Sequence, residues 1–373
     1  MAGRPRDRVT IEGDAGAFDA FTSIEITNDL TAPAEASFEC GDDASWRTME
    51  ERIAPGTAYR VLVNGRLRLT GKVYIADVPV DAAGGATVRF VVRTKVADAA
   101  YASASPQISI LNTTLKDVVL RAYGPLGFLP SDFIFKADLA RDLMTGRSTR
   151  GGDRPVDLEP LDFKQAKVNP PETIFDFVER HLARFHLSHW DAPDGKIVVG
   201  APNDMQPALY NFRLLRGAAG RQNNVTSAHR TRDMSDAPTT VSVSTVVGPE
   251  VARYTIGSTV RSRVEDVARS FYRPIILVDA NLGRLDATLS RAKRELMHRS
   301  KKLEAWDLTT DGWSFWTGQA LVPYAPDTVA DVEVDVAGGP AGAYLVHRTI
   351  LRLDPDQGFT AQLSLLRRGL WVL

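Results

Sequence analysis

The chain has 373 residues, of which 44% are apolar and 24% charged, the balance of an ordinary globular protein. That excludes a disordered or collagen-like chain, and the length sets a prior of two to three domains. Lys and Arg number 45 against 46 Asp and Glu, a formal net charge of -1, so no global field draws the chain to nucleic acid or to an anionic membrane.

Residues 1–100 read as β. Arg8–Glu12, Ser23–Thr27 and Glu35–Glu39 alternate polar and apolar residues, as half-buried strands do. Two more strands flank Asn64-Gly65, a strong short hairpin signal. Asp81–Gly85 makes another turn, joining residues 73–80 to Thr87–Val92. Many short strands with regular turns imply a barrel or sandwich.

Residues 101–204 change character. Thr113 is placed to cap a short helix with Leu115, Val118, Val119 and Ala122 on one face, closed by Gly124-Pro125. A clearer helix is predicted from Asn169-Pro-Pro-Glu172, with Asn169 as its cap and Glu172 completing a capping box. Ile174, Phe177, Val178, His181, Leu182 and Phe185 recur at helical spacing. A hairpin follows, His186–Trp190 and Lys196–Val199 around an Asp-Gly turn. The polar, Gly-rich stretch 145–155 reads as a mobile surface loop. Residues 205–281 return to strands, notably 239–247 and 273–278. The longest helix spans 282–303, with a stripe of Leu282, Leu285, Leu289, Ala292, Leu296 and Leu303, and 305–373 is β again.

One internal similarity stands out. Residues 70–93 and 343–366 both read strand, turn, strand. An offset of 273 lays Gly85 on Gly358, Thr87 on Thr360, Phe90 on Leu363 and Val92 on Leu365. A preceding phrase also repeats, Gly56 to Val63 and Gly318 to Val322. Two related β-domains therefore bracket the chain.

The search for chemistry is mostly negative. Cys40 is the single cysteine, which excludes an intrachain disulfide and a cysteine-only metal cluster and points to folding in a reducing compartment. The basic start, residues 1–8, lacks a signal peptide's apolar core, and no apolar run reaches the roughly 18 residues of a bilayer span. His181, His186 and His189 are the densest ligand-type cluster, but their spacing does not put two imidazoles on one helix face. A packed His181 is the simpler reading. No nucleophile elbow and no phosphate-binding loop occur, so no catalytic, cofactor-binding or metal residues are assigned. Residues 291–302 are basic without interleaved aromatics, which reads as a solvated helix face opposite the leucine stripe rather than a nucleic-acid site. Asp331, Glu333 and Asp335 line one face of a strand. Such a face meets solvent or a cationic partner; whether it faces a channel stays open.

The order of phrases resembles the baseplate hub proteins of contractile-tailed bacteriophages, the Mu-like hub family, also called late control protein D or tail protein P types. Four stretches carry it: Tyr59–Asp77, Asn169–Arg180, Arg273–Ala287 and the terminal hairpin 343–366. The departures are residues 145–168, which look longer, and 323–341, where partner contacts transfer least.

The resemblance implies a mainly β fold with α+β insertions: two related β-barrel-like tube domains plus small inserted α+β domains. The first tube domain is placed at 1–105, a small α+β domain at 106–204, the second tube domain at 205–245 and 310–373, and an inserted segment with a strand and the long helix at 246–309. It further implies a virion tail baseplate protein, assembled in the host cytoplasm. The function implied is that of a structural hub, a homotrimer whose six barrels form a pseudo-sixfold ring joining the sixfold tail tube to the threefold central spike. Its partners would be itself, the tail tube protein, the central spike protein and other baseplate or tape-measure proteins. DNA would only pass through the channel; no stable membrane binding, cofactor or enzymatic activity is expected. The alternatives are a hub from a phage-derived injection machine, a spike-associated cell-wall glycan hydrolase, or a carbohydrate-binding β module.

Overall fold

The computed structural model describes residues 7–14, 16–41, 53–81, 85–106, 109–136, 163–183, 187–215, 223–246, 259–266, 271–278, 285–335 and 342–368. The loop predicted at 145–155 and His186 lie outside them. The first third is β1 (Val9–Gly13), β2 (Gly16–Phe18), β3 (Ser23–Asp29), β4 (Glu35–Cys40), β5 (Ala58–Val63), β6 (Arg66–Asp77), the short β7 (Val80–Asp81) and β8 (Gly85–Ala86), and β9 (Val88–Thr94). The middle holds α1 (Val96–Tyr101), β10 (Ser109–Thr113), α2 (Leu115–Tyr123), β11 (Phe133–Phe135), β12 (Phe163–Lys167), α3 (Ile174–Ala183), β13 (Ser188–Asp191) and β14 (Ile197–Gly200). The remainder is β15 (Tyr210–Leu214), β16 (Val225–Thr231), β17 (Thr240–Val246), β18 (Thr259–Glu265), β19 (Pro274–Val278), α4 (Leu285–Arg299), β20 (Ala305–Asp311), β21 (Ser314–Trp316), β22 (Leu321–Pro323), β23 (Thr328–Val334), β24 (Gly342–Asp354) and β25 (Gly358–Arg367).

The fold class is the expected one, mainly β with small α+β parts. Strands from both ends of the chain merge into one 13-stranded sheet, in the order β16-β20-β25-β24-β3-β4-β9-β6-β5-β1-β2, with β23 pairing both β24 and β15. One buried apolar cluster serves both ends, from Ile26, Phe38 and Phe90 to Trp306, Leu351 and Leu363. A buried carboxylate ties them as well. Asp7 accepts hydrogen bonds from the Trp313 backbone N–H (2.7 Å), the Ser314 hydroxyl (2.8 Å) and the Asn64 amide (2.6 Å). Asn64, with φ 53, and Gly65, with φ 73, form the left-handed turn between β5 and β6, as their sequence predicted.

The internal similarity extends through five strands. The β6–β9 ladder runs Gly71↔Thr94, Lys72↔Arg93, Val73↔Val92, Ile75↔Val91, Ala76↔Phe90 and Asp77↔Arg89, with a bulge between Val73 and Ile75. Adding 273 to every number reproduces the β24–β25 ladder, from Tyr344↔Arg367 to Ile350↔Gln362, with its bulge between Val346 and Arg348. The tip obeys the same offset: Asp81↔Gly85 becomes Asp354↔Gly358. β20 matches β4 at an offset of 270, since Phe38↔Phe90 becomes Leu308↔Leu363. β16 matches β3 at 204, and β23 matches β5 at 271. The copies are therefore β3-β4-β9-β6-β5 and β16-β20-β25-β24-β23. Beyond them they diverge: β1 runs antiparallel to β5, whereas β15 runs parallel to β23.

Several expectations are corrected. Gly318–Val322 is not the counterpart of Gly56–Val63, because β22 pairs with β21; the register makes Asp331–Val334 the counterpart of Arg60–Val63. β17, placed in the second tube domain, forms a separate three-stranded sheet with β18 and β19 under α4. β20, placed mostly in the inserted segment, belongs to the large sheet. Helix α2 is capped by Thr114, whose hydroxyl accepts from the Asp117 N–H at 3.1 Å, while Thr113 ends β10. Helix α3 is capped by Thr173, accepting from Asp176 N–H at 3.1 Å. Asn169 and Pro170 each precede a proline and are kept from helical backbone. They form a turn instead, in which the Glu172 carboxylate accepts from the Asn169 N–H at 3.0 Å.

Helix α4 ends at Arg299, with Lys301–Leu303 continuing as a 3-10 turn, while the predicted start at 282–284 lies outside the described residues; the buried side is also shifted. Ala292 and Leu296 pack on Val241 and Val243, but Leu289 is 39% exposed. The basic side is not a solvated face. Arg294 and Glu295 are buried, and Glu295 pairs with Arg291 at 3.1 Å and Arg299 at 2.6 Å. A carboxylate this enclosed holds its cations inward, because leaving it unpaired would cost several kcal/mol.

Candidate assembly interface

The two copies meet where β24 pairs with β3. β24 has β25 along one side. On its other side β23 takes its first half, and β3 takes Arg348 to Leu353. The opposed pairs run from Arg348↔Asp29 to Leu353↔Ile24. Leu351 and Ile26, directly opposite one another, are fully buried. On the outer face Arg352 reaches Glu25 at 2.6 Å and Arg348 reaches Asp29 at 3.7 Å. Half-exposed ion pairs are worth roughly 0.2–1 kcal/mol each. Burying two branched aliphatic side chains is worth about 1.5–3 kcal/mol apiece, so apolar packing holds this joint and the charges mark its register.

The α+β part, cored by Tyr123, Phe177 and Val199, sits over the joint. Its hairpin β13–β14 sets Trp190 and Val198 against Leu30 and Leu345, one residue from each copy. Lys136 pairs with Asp327, and Asp327 also accepts from the Asn203 N–H at 2.8 Å. Asp191 fastens the hairpin to the first copy: its Oδ2 accepts from the Ala34 N–H at 2.9 Å and the Thr94 hydroxyl at 2.8 Å, while its Oδ1 has no hydrogen-bond partner among the described residues.

Burial pushes the Asp191 carboxyl up to about 6, against the pull of those two donors. The folded chain then holds this proton to a higher pH than the unfolded chain does. Its contribution is complete below about pH 4 and disappears as the pH rises through 6, a loss of up to about 3 kcal/mol. Asp191→Asn removes that titration. Thermal melts between pH 4 and 8 should therefore show a shallower decline for Asp191→Asn than for the natural chain; parallel curves would discard this role.

The counterparts of the joint's two strands are open. By the offset of 273 the second half of β24 corresponds to β6 from Ile75 onward, and Ile75, Ala76 and Asp77 are exposed. By the offset of 204, β3 corresponds to β16, which is the terminal strand of the large sheet. Among the described residues no strand pairs with either of these edges.

Residues singled out for chemistry are dispersed. His189 is buried, hydrogen-bonded through Nδ1 to Glu179 at 2.9 Å and packed on Phe175 with ring centroids 4.4 Å apart. His181 is buried edge-on against Phe177 at 4.8 Å. Among the described residues no group of three or more His, Cys, Asp or Glu is placed to hold a metal ion, and no helix is long and apolar enough to cross a membrane. Burial, aided by the Glu39 charge, pushes the Cys40 thiol up to about 11, which keeps it from acting as a nucleophile at neutral pH. Asp331 on β23 and Asp335 just after it are exposed, and Glu333 pairs with Arg213 at 3.1 Å, while Ala330, Val332 and Val334 face the core. The interface edges were legible in the sequence only through the 273 offset; the offsets of 204, 270 and 271 emerge from strand register.

No family model matches the sequence, and no curated protein matches it. Solved structures do. The chain is similar over 99% of its length to a tail protein from Neisseria meningitidis MC58, covering 98% of that chain at 16% identity with a TM-score of 0.76. A 43 kDa tail protein of prophage MuSo2 from Shewanella oneidensis is 19% identical, with 97% and 98% coverage and a TM-score of 0.71. An E. coli component of the type VI secretion system, described as structurally similar to the T4 bacteriophage tail proteins gp27 and gp5, is 11% identical, with 95% and 75% coverage and a TM-score of 0.54. The chain thus has the fold of phage tail proteins, the group that its order of phrases resembles.

Proposed function

We propose that this chain is a structural, non-enzymatic tail hub: three copies form a ring of six related β units that joins a sixfold tail tube to a threefold central spike. The observation that carries this reading is the five-stranded duplication with matched register and matched bulge. A chain with two near-equivalent units can offer quasi-sixfold contacts on one side and threefold contacts on the other, where its copies differ. Here β1 and β15, in opposite senses beside otherwise matched strands, supply such a difference. Contacts that repeat head to tail must close into a ring or grow without limit.

In this reading the tube units are built from β1–β9 and from β15, β16, β20 and β23–β25, and the protein resides in the virion tail. DNA or a tape-measure protein passes through the channel without being gripped, consistent with a net charge near zero and with the small counterion release that weak phosphate contact implies.

Mass photometry and negative-stain images of the purified chain, and of tails assembled with it, should show a trimeric ring of about six lobes. A monomer in solution and no ring in assembled tails would sink the proposal. Clearing of peptidoglycan or release of reducing sugar by the pure chain would replace it with a hydrolase.

A further inference from the structure

We infer that the open edge of β6 in one copy of this chain pairs antiparallel with the open edge of β16 in the next, with Ile75 opposite Asp233, Asp77 opposite Thr231 and Pro79 opposite His229. The inference rests on the ring reading and deepens it to a named seam. The register follows from the joint already present inside the chain. There β24 pairs with β3 as Arg348↔Asp29, Ile350↔Thr27 and Arg352↔Glu25. Subtracting 273 from the first member and adding 204 to the second converts each of these pairs into a seam pair. Six strands separate β6 from β16 in the sheet order, and the two do not pair within one chain. A second copy is therefore the partner.

The peptide groups point the right way. The Leu30 N–H donates to the His347 carbonyl at 3.2 Å, so the even-numbered residues of β3 face the joint. Their counterparts at 228, 230 and 232 turn their peptide groups outward from β16. On β6 the Thr87 N–H donates to the Pro79 carbonyl at 3.1 Å. Pro79 therefore faces β9, and its missing N–H removes no donor from the seam. The seam-facing residues are Ala76 of β6 and Val78 just after it.

The seam is more polar than the internal joint. Where the joint has Ile26 opposite Leu351, the seam has Arg230 opposite Val78. Arg230 is already ordered, paired to Glu304 at 2.5 Å and lying 5.5 Å from the Trp306 ring centroid. A polar seam suits surfaces that must stay in water until the subunits meet. An unpaired edge is also an aggregation hazard that a ring removes.

Asp77 and Thr231 form a pair without mutual backbone hydrogen bonds, the closer of the two antiparallel spacings. The test is a double variant, Asp77→Cys with Thr231→Cys, oxidised with diamide and read on non-reducing gels, with mass photometry of the same samples before oxidation. The control is Asp77→Cys with Ser227→Cys, whose second thiol lies roughly 13 Å further along β16 on the same face. Cys40 is 5% exposed and does not compete. The expected result is a covalent ladder ending at a closed trimer, about tenfold or more above the control pair, since disulfide geometry is this selective. Trimers before oxidation with cross-linking no better than the control would overturn the seam and leave the ring reading intact. Monomers before oxidation with no covalent ladder would overturn the seam, and the absence of a ring in assembled tails as well would overturn the ring reading with it.

Discussion

Replacing Gly71 with alanine should destabilise the protein by about 3 kcal/mol or more, the upper range for overpacking a rigid site. A Cβ at Gly71 would stand 2.1 Å from the Arg93 carbonyl oxygen and 2.6 Å from its carbon. Both belong to the backbone of β9, which is bonded to β4 on its other side, so the obstacle cannot rotate away as a side chain would. Either the β6–β9 ladder parts at this residue or the bulge beside it moves. The second copy carries Tyr344 at the matching position, so the close approach belongs to the first copy and not to the register. Gly41→Ala is the reference substitution, because its Cβ would find its nearest neighbour at 3.7 Å. Urea denaturation should separate the two variants clearly, and equal midpoints would refute the argument.

Leu351→Ala should cost about 2–5 kcal/mol, the range for emptying a fully buried aliphatic site. Leu351 is 0% exposed and stands opposite Ile26 at the joint between the two copies. Because one sheet and one apolar cluster run through both copies, the loss should fall on the whole β structure. Calorimetry should show the main transition moving as a unit. If instead it splits, with only one part shifted, the two copies unfold independently and the shared core is not what couples them.

The fold class was readable from period-2 alternation in segments such as Ser23–Thr27 and Glu35–Glu39, because a sheet with one wet face imposes that pattern directly. The duplication was readable at the terminal hairpins, where Gly85 and Gly358 occupy matching register positions and Gly358, at φ 71, takes a left-handed backbone that few other residues adopt. It was not readable in β4 and β20 or in β3 and β16. Their registers match, but their side chains do not: Ala36 stands where Trp306 does, and Ile26 where Arg230 does. Backbone pairing sets the copy, and each side chain answers to a different local environment. Caps were misplaced by one to four residues because a nearby Thr competes with the predicted one, and the prolines before α3 exclude helix from the residues preceding them. The basic stretch on α4 looked solvated because composition cannot register that Glu295 is buried beneath it.

The candidate interface shows the same division. By itself the sequence determined a β-rich chain with short hairpins, a single cysteine, near-zero net charge and two related β regions. Those are properties of local periodicity and of counting. Tertiary structure alone decided that the two regions share one sheet, that β24 divides its free side between β23 and β3, and that among the described residues no strand pairs with the equivalent edges of β6 and β16. Strand partners far apart in sequence are chosen by register and by burial on a shared face, and neither quantity exists until the chain has closed on itself.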